Sequence, residues 1–407
     1  MNFTTYLKNF SLKKDDKIEE RKTKIDLKDI EGVQVKRYLN EFWTSKQRQG
    51  NSIHEVSYRA CYKPQLPNFF INQLTKKNDI VYDPFLGRGT TLIEAALNGR
   101  NVIGNDINPL SYILCEPRLN PPKLADIKNF LTDFKFLYNQ KSELDLSMFF
   151  HPKTLDEILS LKNYFIEKEK KNTLTNVEKW IRMVLTNRLT GHSKGFLSVY
   201  TLPPNQAVTA DRQRKINFKK NQKPEYRPVV ERILKKSKSL LRDVCIDSKK
   251  KLKNVNYRIL NSDARNTKTI KSNTVNLTIT SPPFLDVIQY AQDNWLRCWV
   301  NGFDAKKIEK SITMSKTVEE WSEIMKEVLV ELYRITKPGG HLVFEVGEVR
   351  NGKIRLDECI VPLGTKVGFN CLGIAINSQN FTKTSSIWGV KNNSKGTNSN
   401  RIVIFKK

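Results

Sequence analysis

The run Asp83-Pro84-Phe85-Leu86-Gly87-Arg88-Gly89-Thr90-Thr91 places an acid, two glycines one residue apart and a pair of threonines side by side. Glycines at this spacing let a ligand approach the backbone closely and tolerate positive φ. The third glycine of a dinucleotide-binding turn is absent, and an acid ahead of the turn would repel a pyrophosphate. The carboxylate suits a cationic ligand instead, and the ammonium and sulfonium of S-adenosylmethionine meet that need. Candidate cofactor-binding residues are therefore Asp83, Pro84, Phe85, Gly87, Gly89 and Thr90. Asp106 is expected to accept hydrogen bonds from ribose hydroxyls, and Asp263 to meet the adenine.

A second constellation, Thr280-Ser281-Pro282-Pro283-Phe284, suits methylation of an exocyclic base amine. Such an amine is a poor nucleophile because its lone pair is delocalised into the ring. Acceptors aimed at its two hydrogens draw the nitrogen toward tetrahedral geometry and free the lone pair. Ser281 Oγ and the Pro282 carbonyl are the candidate acceptors, with Pro283 restraining the turn through its fixed φ. Phe284 offers a face on which a base can stack. No strong general base is required, since the nitrogen sheds its proton after the methyl arrives. A base within a duplex reaches such a site only by flipping out.

These residues need a scaffold that brings strand ends together. DIVYDPF (79–85) reads as a buried strand, GRGTTLIEAALNG as a glycine turn and helix, and NVIGNDIN (101–108) as a second strand ending in an acid. That βαβ order predicts an α/β fold with a parallel, doubly wound sheet. From about 119 to 253 the apolar spacing is helical, and the stretch carries ADRQRKINFKKNQKPEYRP, dense in Lys and Arg around Phe218 and Tyr226. Strand patterns resume at YRILNSDARN (257–266), VNLTITSPPF (275–284) and HLVFEVGEV (341–349). CLGIAINS and NRIVIFKK are expected to pair as an antiparallel edge. The division predicted is a charged arm or helix at 1–50, a core of 51–118 plus 254–407, and a helical, basic insert at 119–253.

Seventy Lys and Arg against 42 Asp and Glu give a net charge of +28, which points to a polyanionic partner. Arg212, Arg214, Lys215, Lys219 and Lys220 are the candidate DNA contacts, lysines for phosphates and arginines also for guanine edges. No apolar run approaches the roughly 18 residues of a spanning helix, so no membrane association and a cytoplasmic location are expected. The six cysteines include no CxxC pair and the four histidines are dispersed, so no metal site is expected.

With DPFLGRGTT and TSPPF in place, the chain resembles the N4-cytosine and N6-adenine DNA amino-methyltransferases of bacterial restriction–modification systems. SYRACYKPQLP (57–67) looks like the element that closes their cofactor pocket, and KPGGHLVFEVGEV like their fifth-strand region. The resemblance implies a Rossmann-like methyltransferase fold, S-adenosylmethionine as donor and duplex DNA as substrate. By motif, Asp83, Gly87, Gly89 and Asp106 would hold cofactor, while Ser281, Pro282 and Phe284 would hold the base. Serine at the head of the tetrapeptide is typical of the cytosine branch, whereas Asp or Asn is commoner for adenine. The insert departs from the family's pattern by falling before the third strand. An endonuclease partner follows from the family analogy, and methylating one strand at a time is compatible with a monomer. RNA as the polymer, or an inactive scaffold that only binds nucleic acid, are the competing readings.

Overall fold

The computed structural model describes residues 2–14, 17–19, 22–43, 50–203, 208–283, 290–312, 315, 317–349, 354–378 and 399–407. The main sheet is built from β1 (Lys24–Ile30), β2 (Val33–Asn40), β3 (Ile80–Asp83), β4 (Asn101–Asn105) and β5 (Tyr257–Leu260). It continues through β6 (Val275–Thr280), β7 (Thr336–Val346), β8 (Asn370–Ser378) and β9 (Ser399–Lys406). These nine strands lie in the order β1-β2-β8-β9-β7-β6-β3-β4-β5. From β7 to β5 every neighbouring pair is parallel. β3 leads to β4 and β5 on one side while β6 and β7 lie on the other. The order therefore reverses between β3 and β6, where open α/β sheets bind ligands beyond the carboxyl ends.

The expected parallel sheet is present, and its central strands are buried on both faces. Val81, Leu277, Ile279 and Val343 meet helices on one side, while Tyr82, Leu342 and Phe344 meet a second layer on the other. The first layer includes the helices Gln65–Leu74 and Thr90–Leu97, and the second the helix Val318–Ile335.

Three features differ from the sequence expectation. Residues 1–50 were expected as a charged arm or helix, yet 24–40 form a hairpin that extends the sheet beside β8. Its turn places Glu31 and Gly32 at φ 49° and 82°, the left-handed pair that matches strand twist. Ile30, Val35 and Tyr38 are buried, whereas Ile25 and Leu27, at alternate positions of β1, stand 40% and 62% exposed. The final two strands do pair antiparallel, but inside the sheet: β9 lies between β8 and β7, and the hairpin covers β8. An uncovered β8 would present free backbone groups at a sheet edge.

The third difference lies in the division of the chain. The insert has its own core, centred on Trp180, Phe149, Phe150 and Ile181. Leu296, Trp299 and Val300, from the helix Tyr290–Val300 that follows the Ser-Pro-Pro turn, join that core. Trp295 Nε1 donates to the Val208 carbonyl (3.3 Å) and Arg182 Nε to Asn301 Oδ1 (2.8 Å). Conversely, the helix Ile246–Asn254 sends Leu252 into the sheet's core. The insert and the helix Tyr290–Val300 thus share one core.

Candidate active site

The glycine turn is held by bonds to its own neighbourhood. Gly87 (φ 52°) donates its N–H to Asp106 Oδ2 at 2.8 Å. Asp106 also accepts from Asn108 N (2.9 Å) and Ser111 Oγ (2.8 Å), so three of its roughly four lone-pair sites are taken. Gly89 sits at φ 78°, and a Cβ there would stand 2.4 Å from Cys115 Sγ. That close approach explains the second glycine. Gly87 and Thr90 reach the cavity wall and Gly89 does not.

Asp83 ends β3 and is 2% exposed. It accepts from Thr280 Oγ1 (2.7 Å), Tyr62 OH (3.2 Å) and Phe85 N (3.2 Å). Burial raises its pKa to about 6, and those three donors only partly oppose the shift. Asp106 is likewise shifted upward by burial. Asp263 differs: Arg265 forms a bidentate pair with it (2.6 Å at closest) and holds its carboxyl below the ordinary range.

A cavity of about 120 Å³ opens at the strand-order reversal, about ten times what one water needs. Asp83, Pro84, Phe85, Asp106 and Asp263 all line it, and so do Ser281 and Pro283. One wall is the segment Tyr58–Tyr62, fastened by Arg88, which donates to the carbonyls of Val56 (2.9 Å) and Tyr62 (3.2 Å). The opposite wall is apolar: Trp321, Ile324, Met325 and Val328, one stripe of the helix Val318–Ile335. The buried carboxylate of Asp83, the half-buried ones of Asp106 and Asp263, and the apolar stretch of wall fit S-adenosylmethionine, a cation joined to a flat heterocycle.

Most of the sequence-predicted residues therefore line one cavity, Gly89 being one exception. Pro282 is buried but lies outside the cavity wall, and Phe284 lies outside the described residues. The basic residues do not join the cavity. Arg212, Arg214, Lys215, Lys219 and Lys220 are exposed along the helix Ala210–Lys219 and its cap. Phe218 stands among them, 91% exposed. Trp321 and its stripe were missed by the sequence reading. Their signal, apolar residues at helical spacing in VEEWSEIMKEVLVELYRI, is the same as that of any core helix.

A family model described as DNA methylase matches residues 5–113 and 275–404, together more than half the chain. A second, described as D12 class N6 adenine-specific DNA methyltransferase, matches residues 62–274. Type II methyltransferase M.BsoBI of Geobacillus stearothermophilus is 26% identical over 343 residues, covering 74% of this chain and 63% of that protein. Type II methyltransferase M.MjaII of Methanocaldococcus jannaschii is 29% identical over 132 residues, covering 32% and 23%. The chain thus spans less than two thirds of the length of either relative. Among solved structures, the rRNA methyltransferase aviRa of Streptomyces viridochromogenes aligns with 90% of this chain and 96% of its own. At 8% identity and a TM-score of 0.35, that superposition adds nothing to the sheet order above. The chain belongs to the N6/N4 DNA methylase family, S-adenosylmethionine-dependent methyltransferases built on an α/β sheet.

Proposed function

We propose that the chain methylates an exocyclic amine of a base flipped out of duplex DNA, N4 of cytosine being the favoured target. The observation that carries this reading is the single cavity that Asp83 and Ser281 share, their strand ends tied by the Thr280–Asp83 hydrogen bond. Asp83 would hold the cationic end of S-adenosylmethionine, with Asp106 at its ribose and Asp263 toward its adenine. Bound there, the cofactor supplies an electrophilic methyl on a sulfonium. Ser281 Oγ and the Pro282 carbonyl would accept the two amine hydrogens and leave the nitrogen lone pair free to attack. The new bond is N–C and the broken one C–S, whose electrons return to sulfur. The amine proton then leaves to water.

Adenine N6 is the second reading, and the D12 match favours it. That match ends at 274, before the Ser-Pro-Pro turn, whereas the match to the broader family includes the turn. Serine at 281 therefore keeps cytosine ahead. The exposed cations of Ala210–Lys219 are assigned to the DNA backbone, and the resulting enzyme acts as a monomer. A role beside a restriction endonuclease is part of this reading by analogy with restriction–modification methyltransferases; the relatives' names give only Type II methyltransferase. No helix among the described residues is long and apolar enough to cross a membrane.

The test is incubation with tritiated S-adenosylmethionine and mixed-sequence duplex DNA, followed by nucleoside digestion and mass spectrometry. N4-methylcytosine is expected. N6-methyladenine would retain the mechanism and overturn the reading of Ser281. Label appearing in RNA and not in DNA would overturn the choice of polymer.

A further inference from the structure

The Ser281-Pro282-Pro283 turn carries a problem of its own. Its task is to hold two acceptors in a fixed direction, yet consecutive prolines have no N–H with which to anchor the backbone. The anchor comes from elsewhere in the chain: Trp321 Nε1 donates to the Pro283 carbonyl at 2.9 Å. We infer that Trp321 is a positioning residue for methyl transfer, fixing the acceptor turn through the Pro283 carbonyl while its indole forms part of the cofactor cavity wall.

Trp321 is suited to that task because it cannot swing. It is 2% exposed and lies in the first turns of Val318–Ile335, whose N-cap Thr317 accepts from Glu320 N at 3.2 Å. Farther along, Glu331 accepts from Thr267 N (2.7 Å) and Arg334 donates to the Ile270 carbonyl (3.0 Å), fastening the helix to the loop that follows Asp263. Ile324, Met325 and Val328 continue the stripe one and two turns on and share the same cavity wall. One side chain therefore touches both halves of the site: the ring faces the cofactor cavity and the N–H holds the acceptor turn. A shift of about 1 Å in a reacting geometry costs on the order of a hundredfold in rate. Loss of a single neutral hydrogen bond is smaller, about tenfold.

This inference rests on the amino-methyltransferase reading above. The variant that isolates it is Trp321→Phe, which keeps an aromatic ring and removes the N–H. We expect kcat for DNA methylation to fall about tenfold, with KM for S-adenosylmethionine and calorimetric affinity for its demethylated product within about twofold of wild type. An unchanged kcat, or a loss matched by equal weakening of cofactor binding, would overturn the assignment. A second measurement does not depend on activity. In the full chain labelled with 15N-tryptophan, the indole N–H that disappears in Trp321→Phe should exchange slowly with water; rapid exchange would also overturn it. Absence of methyl transfer by the wild type is a different failure, that of the functional reading, and the exchange measurement stands without it.

Discussion

The two halves of the site are built in opposite ways. On the glycine side, the bonds that set the geometry come mostly from nearby in the chain: Gly87 to Asp106, Asn108 to Asp106, Gly89 N to the Leu86 carbonyl. On the acceptor side they come from afar, Thr280 to Asp83 and Trp321 to Pro283. The glycine turn is held largely within one βαβ unit, although Asp83 beside it also accepts from Tyr62 and Thr280. The acceptor half is a proline turn that takes its direction from a separate helix and from the cofactor half itself. On the proposed function, geometry for binding would be largely local and geometry for reaction a property of the assembled sheet.

That contrast predicts separable failures. Ser281→Ala should produce the largest, a loss of about a hundredfold in turnover, with cofactor affinity nearly intact. The check is single-turnover methylation beside calorimetric binding. Normal turnover would remove the hydroxyl from the chemistry and with it the difference between the two halves.

Asp83→Asn should do the converse and act on binding. Removing a charge that meets a cation costs about 1.5–3 kcal/mol, on the order of 10- to 100-fold in affinity. The pH dependence sharpens the assignment. Only the carboxylate attracts a cation, and burial sets the ligand-free pKa at about 6. Cofactor affinity should be flat above pH 7 and fall by about tenfold per pH unit below 6, and Asp83→Asn should abolish that dependence. Stability of the ligand-free protein runs the other way. The folded pKa is raised above the unfolded value of about 3.9, so the stabilising contribution is full below that value and is lost as pH rises through 6. Over that interval the change is on the order of 3 kcal/mol, and thermal melts of wild type against Asp83→Asn measure it. Parallel melting curves at all pH values would mean that Asp83 is not buried in this way.

Asp106→Ala strikes the same half more diffusely, because it strands the N–H groups of Gly87 and Asn108. About tenfold weaker cofactor binding together with a lower melting temperature is expected. Weaker binding with no change in melting temperature would restrict Asp106 to a ligand role, and unchanged affinity would remove it from the site.

The same division explains what was legible in the sequence. DPFLGRGTT could be read because each residue answers to its neighbours: the acid to a strand end, the glycines to positive φ and to the Cys115 contact. Ser281 was legible as a strand-end residue and does line the cavity, yet what holds its turn was not. A tryptophan in an amphipathic helix carries no mark that its N–H is committed to a carbonyl 38 residues away. The N-terminal hairpin was obscured for a related reason. KIDLKDIEGVQVKRYLN alternates on both sides of a Glu-Gly turn, but its many charges read as a solvated arm, and the strand it extends, β8, lies more than 300 residues later. The packing of Leu296 and Trp299 onto the insert was likewise hidden, since periodicity gives a helix and not its partner.

The smallest effects belong to the basic helix Ala210–Lys219, where the cofactor and acceptor halves should both be indifferent. Buried Gln213 anchors the helix, donating to the Tyr200 carbonyl (3.0 Å) and to Asn217 Oδ1 (2.7 Å), and leaves the cations on the outer face. They are not equivalent. Arg214 already pairs with Asp211 (2.8 Å) and Asp145 (2.9 Å), and Lys220 Nζ lies 4.3 Å over the Tyr200 ring. Arg212, Lys215 and Lys219 are exposed, and no ion pair is recorded for them among the described residues. Replacing one of these three by Gln should weaken duplex binding by up to about fivefold, with the slope of log affinity against log salt shrinking by about 0.9 per charge. Arg214→Gln should change the slope less, because its charge is partly neutralised before DNA arrives. Equal slopes for all four variants and wild type would place the duplex on another face. The +28 charge would then need a different explanation.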